Sequence, residues 1–137
     1  MIPREFSVEG RKAIVTGAAG GMGTAIATVL AEAGADVAVL DLELARVEQT
    51  AHAVEKLGRK ALPLAVDVSS NDQVRAAVDT IVARFGTVDI LCSNAGIFLT
   101  KPVAVAPGVE GELANRALAG ENAETPLELA DWQKVLG

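Results

Sequence analysis

Thr16-Gly17-Ala18-Ala19-Gly20-Gly21-Met22-Gly23 follows a short apolar run, Lys12-Ala13-Ile14-Val15, and opens an apolar-periodic stretch that continues to Ala33. Strand, glycine turn and helix, in that order, is the context in which glycines cradle a dinucleotide. Glycine lets the backbone turn tightly and come close to a pyrophosphate with no Cβ in the way. The helix that follows offers unpaired N–H groups and a partial positive charge to phosphates. Gly17, Gly20, Gly21, Met22 and Gly23 are therefore the candidate phosphate contacts, with Gly17, Gly21 and Gly23 foremost. The order G-x-x-x-G-x-G differs from G-x-G-x-x-G, and glycines that merely permit a sharp turn are the plain alternative.

Outward from that turn, strand and helix signatures alternate through the first 95 residues. Residues 12–15 read as a first strand and 21–33 as a helix closed by Gly34 just past its end. Asp36-Val37-Ala38-Val39-Leu40-Asp41 is a second strand. Residues 43–57 carry Leu44, Val47, Ala51, Val54 and Leu57 at helical spacing, and Gly58 stops them. Residues 61–66 form a third strand. Ser69 or Ser70 then caps a third helix with the apolar face Val74, Ala77, Val78, Ile81 and Phe85, ended by Gly86. Residues 88–93 are the fourth strand. Such recurrence gives a parallel sheet with right-handed crossovers. The expected fold class is α/β, a Rossmann-like doubly wound parallel sheet of order 3-2-1-4. Its ligand crevice lies between strands 1 and 4, where the winding reverses.

Beyond Gly96 the pattern weakens. Residues 97–125 are rich in Ala, Gly, Pro and Glu, with one weak helical stretch at 109–119, and read as an irregular insertion or lid. Thr125-Pro126-Leu127-Glu128 is a capping box with proline at the first helical position. Residues 126–137 are thus expected to begin another helix, on which Leu129, Trp132 and Leu136 share a face. Residues 1–137 read as one dinucleotide-binding domain with 1–96 as its core.

At 137 residues the chain is long enough to bury about 68–70% of its unfolded surface. Half the residues are hydrophobic but only 3% aromatic, so the core must be aliphatic, which suits a buried parallel sheet under helices. A net charge of −6 with no basic cluster argues against nucleic acid and anionic membranes as partners. Cys92 is the only cysteine, so no intrachain disulfide can form and a reducing cytoplasm is the expected setting. In a buried strand it reads as a small inert hydrophobe. Met1-Ile2-Pro3-Arg4-Glu5-Phe6 shows no secretory apolar region, and no apolar stretch approaches the roughly 18 residues of a membrane span. His52, the only histidine, lies off the apolar stripe of the second helix and is expected to face solvent. One histidine, one cysteine and no carboxylates at ligand spacing indicate no metal site.

The remaining candidate residues end the strands. Asp41, with Leu42 beside it, closes the second strand 24 residues beyond Gly17. A carboxylate there accepts both hydroxyls of an adenosine ribose. It also repels a 2′-phosphate: at about 4 Å and an effective dielectric near 20, each like charge costs roughly 4 kcal/mol before screening. No lysine or arginine lies between Gly17 and Gly21 to receive a phosphate, and both facts favour NAD over NADP. The alternative for Asp41 is to complement the dipole of the next helix. Asp67 can take an adenine amino group while Val68 packs on the ring, or Asp67 can cap the following helix. Asn94, Ala95 and Gly96 end the fourth strand across the crevice, where small residues admit the nicotinamide-side ribose. Asn94 can equally tie strands together.

Together, Thr16-Gly17-x-x-x-Gly21-Met22-Gly23, Asp41, Asp67-Val68 and Ser93-Asn94-Ala95-Gly96 resemble the short-chain dehydrogenase/reductase family, most strongly over residues 7–96. Ser93 stands where that family usually has asparagine. Asp131-Trp132-Gln133-Lys134-Val135-Leu136 is similar to the start of the family's next helix. The resemblance implies hydride transfer between a secondary alcohol or ketone and a nicotinamide. It also implies a tyrosine that takes the alcohol proton and a lysine that lowers its pKa and holds the nicotinamide ribose. A serine that orients the substrate oxygen and an asparagine that completes a proton relay belong to the same set. The chain contains no tyrosine, and none of the four can be placed on it; they are expected beyond Gly137. On this reading the chain is the NAD-binding portion of an oxidoreductase acting on a small alcohol or ketone. Its sheet stops after the fourth strand and the start of the next helix, and it has no catalytic residue of its own. The alternatives are a non-catalytic dinucleotide-binding module acting through another chain, and an interaction protein in which the glycine turn only shapes the fold. The open edge of the fourth strand predicts a homo-oligomer, or residues 97–125 folded over it.

Overall fold

The computed structural model describes residues 2–96. A 3-10 turn at Arg4–Phe6 precedes β1 (Lys12–Thr16), α1 (Gly21–Glu32), β2 (Asp36–Asp41), α2 (Leu44–Lys56), β3 (Ala61–Ala65), α3 (Asn71–Phe85) and β4 (Ile90–Cys92). All strand pairs are parallel, in the expected order β3-β2-β1-β4. Val15 faces Val39 on one side and Cys92 on the other, and Asp41 faces Ala65. This register brings the carboxyl ends of the strands to one rim.

β1 and β2 are continuous apolar runs because both of their faces are covered, and alternate side chains go to opposite faces. Ala13, Val15, Val37 and Val39 pack with Ala27 and Ala31 of α1 and with Val47, Ala51 and Val54 of α2. Ile14, Ala38 and Leu40 pack on the opposite side with Leu62, Val66 and, from α3, Ala77 and Ile81. The buried face of α1 is Gly23, Ala27 and Ala31, so it carries only small side chains toward the sheet. Ser70, of the two candidate serines, caps α3: its Oγ accepts from the Gln73 amide at 3.3 Å.

At the opposite end of the strands, Asp36 is only 4% exposed. Lys12 Nζ reaches its Oδ2, Arg59 Nη2 lies 3.3 Å from its Oδ1 and the Lys60 amide donates to Oδ1 at 2.9 Å. Burial alone pushes this carboxyl up, but the Lys12 hydrogen bond, the Lys60 amide and the charges of Lys12 and Arg59 hold it below the usual aspartate value. The stabilisation is therefore complete above the ordinary aspartate pKa and is lost as pH falls through the lower, folded-state value. Denaturant unfolding should show stability falling below about pH 4. The fall should be shallower in Asp36→Asn, and an equal pH slope in that variant contradicts the assignment.

Three expectations are corrected. The fourth strand pairs over Ile90–Cys92 rather than 88–93, Leu91 is 64% exposed and Cys92 is only partly buried. Among the described residues β4 has β1 as its sole neighbour, so the burial enjoyed by β1 and β2 does not extend to it. Leu44 and Leu57 of the expected α2 stripe are exposed, as is Val78 of α3. The first two lie at the helix ends, past the sheet contact, and Thr50 is buried in mid-stripe instead. The insertion at 97–125 and the helix start at 126–137 lie outside the described residues.

Candidate functional site

The chain leaves β1 at Thr16 and reverses into α1 through backbone that only glycine adopts freely. Gly17 has φ +64° and Gly21 φ +55°, in the left-handed region disfavoured for residues with a Cβ. The glycines are needed for different reasons. A Cβ on Gly17 would lie 2.8 Å from Ala95 Cα and 3.0 Å from Asn94 Nδ2. A Cβ on Gly23 would overlap the Gly17 carbonyl oxygen and lie 2.9 Å from Ala18 Cα. Packing of the chain against itself accounts for both, which is the plain alternative raised from sequence. At Gly21 a Cβ meets nothing within 4 Å, and at Gly20 only Arg46 Nη2 at 3.3 Å. The open side of the turn is therefore at Gly20 and Gly21. Among the described residues, the amides of Gly20, Gly21, Met22 and Gly23 have no hydrogen-bond acceptor, as expected where a helix begins.

The turn is held from both flanks. On the β2 side the Ala18 amide donates to Leu40 O at 3.0 Å, and the Ala19 amide to Asp41 Oδ2 at 2.9 Å. Asp41 Oδ1 accepts from the Leu42 amide at 2.7 Å. Each carboxylate oxygen keeps further lone-pair capacity, so the same group can still accept ribose hydroxyls. On the β4 side Asn94 Nδ2 donates to Thr16 O at 3.2 Å and Gly17 O at 3.3 Å. Thr16 Oγ1 accepts from the Asn94 and Ala95 amides, each at 3.0 Å. Asn94 thus ties β4 to β1, the structural role considered for it. Gly96 follows at the exposed end of the described segment.

Asp67 is bonded within its own loop. Its Oδ1 accepts from the Ser69 hydroxyl at 2.6 Å and the Ser69 amide at 2.9 Å. Those bonds, the hydroxyl's above all, hold its carboxyl below the ordinary aspartate range. Val68, Leu42 and Met22 expose their apolar side chains beyond β3, β2 and the turn. A pocket between the N-terminal halves of α1 and α2 is lined by Gly20, Gly21, Thr24, Arg46 and Thr50, among others.

Sequence reasoning missed Arg46, Thr24 and Thr50. Arg46 lies on α2, outside the glycine turn, yet its guanidinium lies beside Gly20. One of the two grounds for expecting NAD is thereby weakened, which leaves the Asp41 carboxylate as the other. The available signal was the position of Arg46 in the first turn of the helix after Asp41. His52 is exposed and bonded to Glu55 at 3.1 Å. Among the described residues no cluster of three or more metal-ligating side chains occurs, and no helix is long and apolar enough to cross a membrane.

The sequence pattern of the short chain dehydrogenases matches residues 11–114. A short chain dehydrogenase/reductase of Colletotrichum higginsianum, dpchG, is 34% identical over 90% of this chain and 45% of its own length. The crystal structure of NAD+-bound xylitol dehydrogenase aligns with a TM-score of 0.66 at 38% identity, over 69% of this chain and 37% of that one. The L-sorbose reductase of Gluconobacter frateurii, crystallised with NADPH and L-sorbose, aligns with a TM-score of 0.67 at 33% identity, over 72% and 38%. The chain therefore spans less than half the length of each. With a 3-2-1-4 parallel sheet, a glycine turn braced by Asp41 and Asn94, and a family match across most of its length, the chain belongs to the short-chain dehydrogenase family.

Proposed function

We propose that residues 17–23 and Asp41 bind the diphosphate and adenosine of a nicotinamide dinucleotide, NAD in preference to NADP. The protein to which they belong would move hydride between a secondary alcohol or ketone and that cofactor. The observation that carries this reading is the run of amides from Gly20 to Gly23 with no acceptor among the described residues, beside open space at Gly21. An anion needs such donors at a helix N-terminus, so the residues present fit the group. When bound, the nicotinamide supplies the hydride acceptor or donor. The chain's own part is to hold the diphosphate on the turn and the ribose at Asp41, with Asp67, Val68, Leu42 and Met22 around the adenosine and Asn94, Ala95 and Gly96 toward the nicotinamide ribose.

Preference for NAD rests on the Asp41 carboxylate, which opposes a 2′-phosphate; Arg46 beside Gly20 reduces that preference without reversing it. Relatives bound to NAD+ and to NADPH both exist, so titration must decide. Calorimetry should give a Kd for NAD about tenfold or more below that for NADP. Neither heat nor thermal stabilisation at millimolar NAD contradicts the reading. With no tyrosine among its 137 residues, the chain by itself should form no NADH from secondary alcohols; robust turnover would show a proton acceptor of another kind. A cytoplasmic setting and homo-oligomerisation through the edge of β4 that has no neighbour among the described residues complete the proposal.

A further inference from the structure

Three polar or charged side chains are buried among the described residues: Thr16, Asp36 and Thr50. Thr16 ties β1 to β4, and Asp36 is held by ion pairs. Thr50 differs, because it sits on α2 among Val47, Ala51 and Val54 and is 3% exposed. A threonine in mid-helix commonly returns its hydroxyl to the carbonyl four residues back. Thr28 does so to Thr24 O at 3.0 Å and Thr80 to Ala76 O at 2.9 Å. Thr50 instead donates from α2 to Ala18 O in the turn between β1 and α1, at 2.6 Å. Thr24 Oγ1 lies 3.3 Å from the same carbonyl and 3.1 Å from Thr50 Oγ1.

Ala18 C=O and Ala19 N–H are the two ends of one peptide unit, and its plane is clamped at both. Thr50 holds the oxygen from α2, and Asp41 holds the N–H from the end of β2. Because the peptide is planar, either bond alone restricts its rotation and the two together forbid a flip. That peptide immediately precedes the free amides of Gly20 to Gly23. We propose that Thr50 is a positioning residue for diphosphate binding: it keeps the partially negative Ala18 oxygen inside the protein and so holds the turn in its anion-accepting form. The inference rests on the dinucleotide reading above. Without the hydroxyl, the buried carbonyl loses its short donor and gains reason to rotate toward solvent, where it would oppose a phosphate.

The test is Thr50→Val, nearly equal in shape, with NAD and adenosine as probes in parallel NMR or calorimetric titrations. Adenosine shares the Asp41 contacts and lacks the diphosphate. The Kd for NAD should rise about tenfold, the equivalent of one ordinary hydrogen bond, while that for adenosine stays within about twofold. Thr50→Ser should restore NAD binding. Equal weakening of both probes, or no change in either, overturns the assignment. If Thr50→Val fails to fold in a thermal melt, Thr24→Val takes its place; it should raise the NAD Kd about threefold and spare adenosine, and an unchanged ratio there overturns the proposal. Wild-type protein that binds no NAD overturns the underlying reading too, whereas NAD binding that survives Thr50→Val intact overturns the role of Thr50 alone.

Discussion

Gly23→Ala should leave little folded protein. The added Cβ would fall on the Gly17 carbonyl oxygen and lie 2.7 Å from the Gly17 carbonyl carbon and 2.9 Å from Ala18 Cα. All three are backbone atoms, so no rotamer change relieves the overlap. Overpacking a core commonly costs about 1–3 kcal/mol. Here α1 must lift off the turn, which separates Ala27 and Ala31 from the sheet residues they cover, so a cost above about 3 kcal/mol is expected against a typical total stability of about 5–15 kcal/mol. In a domain of this size that is a melting-temperature drop of roughly 12 °C or more. Gly21→Ala is the control: its Cβ meets open space, so it carries only the left-handed backbone penalty of about 1–2 kcal/mol. Calorimetric melts that rank Gly21→Ala as the more damaging would contradict this account of the turn.

Asp41→Ala should produce the largest loss of binding among folded variants. It removes the acceptor for the Ala19 amide and for the Leu42 amide, and with them the proposed grip on the ribose. Hydrogen bonds to charged groups are worth about 1.5–3 kcal/mol, so the Kd for NAD should rise about 10–150-fold. Unlike Thr50→Val, this change should weaken adenosine as well. Asp41→Asn keeps one carbonyl acceptor but removes the charge, so NADP should gain on NAD as the repulsion of a 2′-phosphate disappears. An NAD to NADP ratio unchanged in Asp41→Asn would place the discrimination elsewhere, with Arg46 the next residue to vary.

Much of the fold could be read from the chain because its signals are local. β1 and β2 are apolar on successive residues, which only a strand covered on both faces requires, and Ala13 through Val15 and Val37 through Leu40 are indeed buried. Glycines at 34, 58 and 86 follow the three helices where the pattern placed the stops. β4 was less legible, because the burial of an apolar strand depends on what lies beside it, and composition does not carry that. The site divides along the same line. Glycine at 17, 20, 21 and 23 was visible, but not that Gly17 and Gly23 satisfy the chain's own packing. Asp41 was legible as a carboxylate ending a strand. Its bond to the Ala19 amide joins residues 22 apart, and the Thr50 bond to Ala18 joins residues 32 apart. No periodicity records a side chain reaching across two elements to a backbone atom.

The central claim is that the amides from Gly20 to Gly23 receive a diphosphate while Asp41 holds the adjoining ribose. Titrating isotope-labelled protein with NAD and following backbone amide resonances tests it most directly. The account predicts that the largest shifts fall on residues 19–23 and 41–42, with saturation at one Kd. Shifts centred on other residues, or an unchanged glycine turn at saturating NAD, would contradict it.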